Sequence, residues 1–224
     1  MIKHTCLILS IVFATLNGLA ITVWSRRRAL ECFFKPATLV FLMVWVYLLT
    51  GFSGPLFWFG LGLFFSLLGD VLLLISRERL LPGLVAFLLA HVAYIVSFMQ
   101  GTLASKITPL LVAVMIGIVS NYVLKPIING LVEKGGGKLR PAIIAYGVVI
   151  SIMAFFASVT VFRDEWNIQA AILVGVGAIL FYLSDILLAW NRFVRPLKYG
   201  RLMNIIPYHL GQMLLAIGMV IQFS

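Results

Sequence analysis

Eight apolar runs, separated by short polar and basic stretches, organise the chain: residues 7–24, 36–50, 56–75, 82–99, 107–124, 141–162, 168–190 and 204–223. A helical crossing of a bilayer needs about 20 predominantly apolar residues. Backbone inside hydrocarbon must satisfy its own hydrogen bonds, so each run predicts a membrane-spanning α-helix. The second run is short and has an alternative start near Glu31. Pro36, Pro82 and Pro141 fall near predicted helix starts, where a missing N–H costs little. The first run reads as a retained helix rather than a signal peptide. Its basic cluster Arg26-Arg27-Arg28 follows the apolar stretch, and no small-residue cleavage site is evident.

The polar stretches carry an orientation signal. One alternating set holds Arg26, Arg27, Arg28, Lys35, Arg77, Arg79, Lys125, Lys134, Lys138, Arg140, Arg192, Arg195, Lys198 and Arg201. The other holds only Lys3, Lys106 and Arg163. Cytoplasmic loops carry the Lys/Arg excess, so both termini are expected on the non-cytoplasmic side. An odd number of spans would spoil this partition. The expectation is an all-α, polytopic bundle of eight transmembrane helices, a single transmembrane domain over residues 1–224. A bacterial cytoplasmic membrane suits the pattern, although an endoplasmic reticulum protein would look similar.

Composition closes off other classes. Of 224 residues, 62% are hydrophobic and 11% charged, against roughly 45–50% and about 25% in soluble domains. Mean hydropathy is +1.12. The net charge of +10 invites a nucleic-acid reading. The basic residues are scattered between apolar runs as topology requires, so no nucleic-acid partner is expected. Cys6 and Cys32 flank the first run and would lie at opposite faces of the bilayer, too far apart to pair.

The chain also matches itself. Asp70-Val-Leu-Leu-Leu-Ile-Ser-Arg77 resembles Asp185-Ile-Leu-Leu-Ala-Trp-Asn-Arg192, and Lys35-Pro36-Ala37 resembles Arg140-Pro141-Ala142. His91 and His209 follow the two aspartates at similar distances. Apolar helices can converge on Leu runs by chance, but the charged and proline anchors favour a duplication. Two parallel four-helix repeats are expected, about 1–105 and 106–224, because an even number of helices per half preserves orientation.

Of seven acidic residues, Asp70 and Asp185 alone lie within apolar runs. Each precedes a basic boundary residue, Arg77 or Arg192, by about 10 Å of helix. A carboxylate at that depth is costly unless paired or protonated, which makes both functional candidates. The alternative is a structural aspartate bonded to a neighbouring helix. Polar residues accompany them at helical spacing: Ser66 before Asp70, Tyr182 and Ser184 before Asp185, His91 with Tyr94, and Tyr208, His209 and Gln212. Singly these are ordinary interhelical glue; as a set they outline a polar cavity open to the cytoplasmic side. Lys35, Arg77, Arg140 and Arg192 would serve topology, or cradle a lipid phosphate. No metal site is expected: the three histidines have no companion carboxylate at ligand spacing. No hydrolase triad spacing, phosphate loop or dinucleotide fingerprint appears.

Residues Lys35-Pro36, Leu68-Gly69-Asp70-Val-Leu-Leu-Leu, Ala90-His91-Val-Ala-Tyr94, Tyr182-Leu-Ser-Asp185-Ile-Leu-Leu-Ala, Arg192-Phe193 and Tyr208 through Gln212 together resemble the YhhN family, the lysoplasmalogenases that include the eukaryotic TMEM86 proteins. The resemblance covers roughly residues 33–215. It implies a hydrolase of the vinyl ether bond of lysoplasmalogens, releasing a fatty aldehyde and glycerophosphocholine or glycerophosphoethanolamine, with Asp70 and Asp185 as the catalytic pair. It implies a lysophospholipid substrate and surrounding membrane lipids as partners, and no cofactor. Lys35, Arg77, His91, Tyr94, Tyr182, Arg192, Tyr208, His209 and Gln212 would then contact substrate. Protonation of a vinyl ether at carbon gives an oxocarbenium ion that water captures, and such a cation calls for one carboxylic acid and one carboxylate, as in glycosidases. Two close carboxyls in a low-dielectric site do not both ionise easily.

Other classes share these features. Parallel repeats and membrane carboxylates also describe a proton-coupled transporter of a lipid or small amphiphile, although neither aspartate run contains an internal proline. An intramembrane aspartyl protease would need Gly-x-Gly-Asp, and residue 67 is Leu. A non-catalytic lipid-binding protein is the third alternative.

Overall fold

A computed structural model describes residues 2–24, 28–75, 80–102 and 107–224. The chain forms helices α1 (Ile2–Thr22), α2 (Arg28–Thr50), α3 (Pro55–Ile75), α4 (Leu80–Phe98), α5 (Ile107–Glu133), α6 (Arg140–Ser158), α7 (Ile168–Ala189) and α8 (Gly200–Phe223). Among the described residues, eight helices are long and apolar enough to cross a membrane. The protein is therefore an integral, multi-pass membrane protein. The expectation at Arg77, and those at Arg26, Arg27, Arg79 and Lys106, fall outside the described residues.

The helix ends depart from the apolar runs in informative places. Pro36 lies well inside α2 instead of near its start, because the helix begins at Arg28. The α5 helix runs on past Leu124, through Pro126, to Glu133. Ile127, Gly130 and Leu131 are buried there, and the Phe193 carbonyl packs so closely on Gly130 that no Cβ would fit. Packing of this extension offsets the hydrogen bond that Pro126 removes. The α8 helix likewise starts early, at Gly200, and contains Pro207. At the other end of α7 the chain continues as one π-helical turn, Trp190–Val194, carrying Arg192.

The chain packs as two compact units, Met1–Ser97 with Met219–Ser224, and Phe98–Gly218. In the first, α1 and α2 join through stacked Phe13 and Phe41 rings 5.3 Å apart and a buried hydrogen bond from Ser10 Oγ to the Thr38 carbonyl, 2.9 Å. A tight turn at Gly51–Gly54 returns α3 antiparallel to α2. Phe52 adopts a left-handed φ of 53° there, and its ring lies over Gly60, where an added Cβ would come within 2.8 Å. The α4 helix settles on α3 at glycines: Gly62 admits the Tyr94 ring, Gly69 the Phe87 ring and Gly83 the Leu73 side chain. Small residues allow this close approach, which in lipid replaces hydrophobic driving force with packing.

The second unit uses the same device more strictly. Ala170, Gly177 and Ser184 recur every second turn of α7, facing Gly218, Gly211 and Asn204 of the antiparallel α8. A Cβ on Gly177 would lie 2.8 Å from the Leu215 nitrogen and 2.9 Å from the Gly211 carbonyl oxygen, and one on Gly218 2.8 Å from the Ala170 oxygen. At the last position Asn204 Nδ2 donates to the Ser184 carbonyl and hydroxyl, each 2.8 Å. Asn167 caps α7 by accepting from the Gln169 and Ala170 amides, 2.9 and 3.2 Å. The loop before that cap clasps residues 98–102. Buried Arg163 donates to the Phe98 carbonyl at 2.7 Å and to the Gln100 carbonyl, Trp166 Nε1 donates to the same Gln100 oxygen at 3.1 Å, and Thr102 Oγ1 donates to Glu165 at 2.8 Å. Burial lowers the Arg163 guanidinium from its usual range, opposed by the charge of Glu165. The Glu165 carboxyl is held below the ordinary carboxylate range, first by the Thr102 hydroxyl.

Candidate functional site

Each unit places one of the two intramembrane aspartates in a polar setting. In the first unit, α2 and α3 form an antiparallel pair about the turn at residues 51–54. Lys35 and Asp70 are equally distant from the centre of that turn, so they lie level across the two helices. The Lys35 ammonium is 2.7 Å from Asp70 Oδ1. The side chain of Asp70 is fully buried and that of Lys35 is 13% exposed. The aliphatic stem of Lys35 thus runs inward and carries its charge to the carboxylate, where the expectation had been a cation held for lipid phosphate or topology. One turn before Asp70, Ser66 is fully buried, with its hydroxyl 3.4 Å from the Tyr94 phenol. Tyr94 is also fully buried and packs against Phe59, ring centroids 5.2 Å apart. His91, one turn before Tyr94 on α4, is fully buried too. Buried groups of this kind must be matched to polar partners, which is why they collect along the Asp70 helix and its neighbour instead of facing lipid.

In the second unit, α6 precedes α7 as α2 precedes α3. The Tyr146 phenol donates a short hydrogen bond to Asp185 Oδ2. Asp185 is half-buried, in contrast to Asp70. Arg140, the sequence counterpart of Lys35, sits exposed at the start of α6, about 9 Å along the axis from the level of Tyr146. Nothing in the sequence match marked Tyr146. Its twin under the Lys-Pro/Arg-Pro alignment is Phe41, an apolar residue. The available signal was its position alone: on the helix before Asp185, at the level of that residue across the pair.

Tyr182, one turn before Asp185, turns the other way. Its hydroxyl meets Ser120 Oγ of α5 at 2.8 Å and Ser151 Oγ of α6 at 3.3 Å, and the two serines are 2.8 Å apart. Both serines were missed, although each is a small polar residue within an apolar run. Tyr208, His209 and Gln212 are all buried on α8, with Tyr208 edge-on to Phe181 of α7 at 5.3 Å. Arg192 is exposed on the π-helical turn; its guanidinium lies 5.9 Å from the Phe193 ring, and its carbonyl accepts from Lys134 Nζ at 3.1 Å. A π-turn beside a candidate site is a recurrent association. The nine expected substrate contacts thus divide: Lys35, His91 and Tyr94 in the first unit, Tyr182, Arg192, Tyr208, His209 and Gln212 in the second, and Arg77 outside the described residues.

These features define a class: a membrane protein with, among the described residues, eight helices of spanning length and one partnered carboxyl group within such a helix in each unit. Within that class the chain belongs to the YhhN family, which matches residues 30–219. It is similar to the lysoplasmalogenase TMEM86A of Homo sapiens, 27% identical over 165 residues that cover 71% of this chain and 63% of the relative. It is also similar to the lysoplasmalogenase TMEM86B of Sus scrofa, 28% identical over 153 residues covering 68% and 59%. The chain therefore spans about three fifths of the length of the curated relatives it matches. No solved structure matches it.

Proposed function

We propose that the protein is a hydrolase of the vinyl ether bond of lysoplasmalogens, with Asp70 and Asp185 as its two catalytic carboxyl groups. The observation that carries this reading is the buried ion pair of Asp70. Asp70 is ion-paired to Lys35, whereas Asp185 accepts from a phenol. An ion pair requires its carboxylate, so Asp70 takes the role of electrostatic stabiliser and Asp185 that of proton donor. Asp185 delivers a proton to the vinyl carbon remote from oxygen. The cation that forms on the neighbouring carbon and the ether oxygen is stabilised by Asp70, and water adds at that carbon, its released proton returning to Asp185. The hemiacetal then collapses, breaking the bond between that carbon and the glycerol oxygen, which takes a proton. The products are a fatty aldehyde and glycerophosphocholine or glycerophosphoethanolamine. General acid catalysis of this kind contributes about 10²–10⁴-fold, and a preorganised carboxylate adds to it.

The reading includes two parallel four-helix repeats, both termini outside the cytoplasm, a bacterial cytoplasmic membrane and one functional domain. It is supported by the family membership and by the names of the relatives. The deciding assay gives the purified chain, in lipid nanodiscs, an alkenyl lysophospholipid and its ester counterpart. Aldehyde release from the first with no fatty acid from the second is expected. Cleavage of the ester alone overturns the reading. Failure to turn over either lipid, together with uptake of the intact lipid driven by a proton gradient, would make the protein a carrier.

A further inference from the structure

A groove of about 460 Å³ runs between α5 and α6, wholly within the second unit. That volume falls in the range of about 300–1,000 Å³ typical of small-molecule sites. Its walls include Ile116, Gly117 and Leu124 of α5 and Gly147, Ile152 and Phe155 of α6. One end is set by Gly147, adjacent in sequence to the phenol that holds Asp185. From there the groove continues for about 12 Å along α6 to Phe155, in the direction leading away from Arg140.

Of the polar residues on its walls, Asn121 is exposed, while Ser120 and Ser151 are turned inward. Ser120 and Ser151 each hydrogen-bond the carbonyl one turn back, 2.6 Å to Ile116 and 2.6 Å to Gly147, and both meet Tyr182. Their oxygens are thereby engaged within the protein, and the surface left to a ligand is chiefly apolar. The groove also opens to the bilayer. Only 6% of the most apolar stretch of α5 is buried, against 67% in α8. A glycine sits in its wall with free space above it: a Cβ on Gly117 would meet nothing within 4 Å.

We propose that this groove holds the hydrocarbon chain of a single-chain ether lipid, with the polar end of that chain at Tyr146 and Asp185. The proposal rests on the hydrolase reading for the identity of the bond placed at Asp185. Its geometry makes a separate claim: one tail, entering sideways from the bilayer between α5 and α6, lying toward the bilayer interior while the headgroup stays near Lys125 and Arg140, both exposed. A single groove of this volume between two helices suits one chain rather than two.

The test uses the full chain in nanodiscs and a saturated ether lysophospholipid carrying a photoactivatable group in its tail, which no vinyl ether hydrolase can cleave. Labelled peptides from α5 and α6 are expected, with an unlabelled lysolipid competing at least tenfold better than a diacyl phospholipid. Gly117→Phe, whose Cβ meets nothing within 4 Å, should reduce that labelling at least fivefold and raise KM for a long-chain alkenyl lysolipid more than it lowers kcat. Ile118→Phe, on the exposed face beside it, should do neither. Labelling that diacyl lipid displaces equally well, or that Gly117→Phe leaves intact, would overturn the groove assignment. Selective labelling without aldehyde release by the wild-type protein would uphold the groove while removing the hydrolase reading.

Discussion

The two units treat the same sequence element differently. In both, an aspartate sits near the end of a glycine-containing apolar helix, and the preceding helix runs antiparallel beside it. In the first unit that neighbour supplies an ammonium and the carboxylate is fully enclosed. In the second it supplies a phenol and the carboxylate is half-buried. The lesson is that a sequence motif fixes where a carboxyl group sits along its helix, while the residue level with it on the next helix helps to decide its surroundings. A carboxylate tied to a cation is suited to stabilising positive charge. On the proposed reading the other carboxyl group, partly accessible and bonded to a phenol, gives up the proton.

The strongest way to break this contrast is at the aspartates. Asp185→Asn is expected to lower the rate of aldehyde release by about 10²–10⁴-fold while the protein remains folded. Asp70→Asn should also abolish most activity. Full activity in both variants would remove the acid–carboxylate assignment. Next comes the cation. Lys35→Met leaves Asp70 buried without its ammonium, and breaking such a pair costs about 3–5 kcal/mol. The counterpart Arg140→Met should stay within about 0.5 kcal/mol of wild type, as exposed substitutions do. Thermal unfolding in detergent measures both, and equal losses would show that the two units are used alike. Combining Lys35→Met with Asp70→Asn should destabilise less than the sum of the two.

A finer test falls on the phenol. Tyr146→Phe removes one hydrogen bond to Asp185, worth about 0.5–1.5 kcal/mol. We expect a loss of up to about tenfold in kcat, and no such change in Tyr47→Phe, an exposed control. An unchanged kcat in Tyr146→Phe would reduce Tyr146 to packing. The smallest expected effect concerns the loop clasp of the second unit. Glu165 is held below its ordinary range by Thr102, so its contribution is present above the unfolded-state carboxylate range and disappears as pH falls through the lower folded-state value. Glu165→Gln should therefore unfold slightly earlier than wild type at neutral pH, the two converging in acid. A gap that persists in acid would assign the difference to packing.

Much of the architecture follows from the linear sequence because lipid leaves the backbone few choices. Eight apolar runs had to become eight helices, and two aspartates in such runs had to be exceptional. The departures have local causes. Buried contacts at Ile127 and Leu131 carry α5 through Pro126, and the start of α2 at Arg28 puts Pro36 in a helix interior. Helical spacing grouped Tyr182 with Asp185, since residues one turn apart share a face. It could not reveal that Tyr182 would bond Ser120 and Ser151 instead.

By itself, then, the sequence determined the number and kind of elements, the depth of Asp70 and Asp185 along them and the basic bias of the loops, because these depend on hydropathy and spacing within one helix. The tertiary structure decided that Lys35 turns inward to Asp70, that Tyr146 and not Arg140 stands beside Asp185, and that glycines admit the rings and backbones packed upon them. Those outcomes depend on which residues two helices bring level, and that register is set by turn geometry and side-chain packing between segments far apart in the chain.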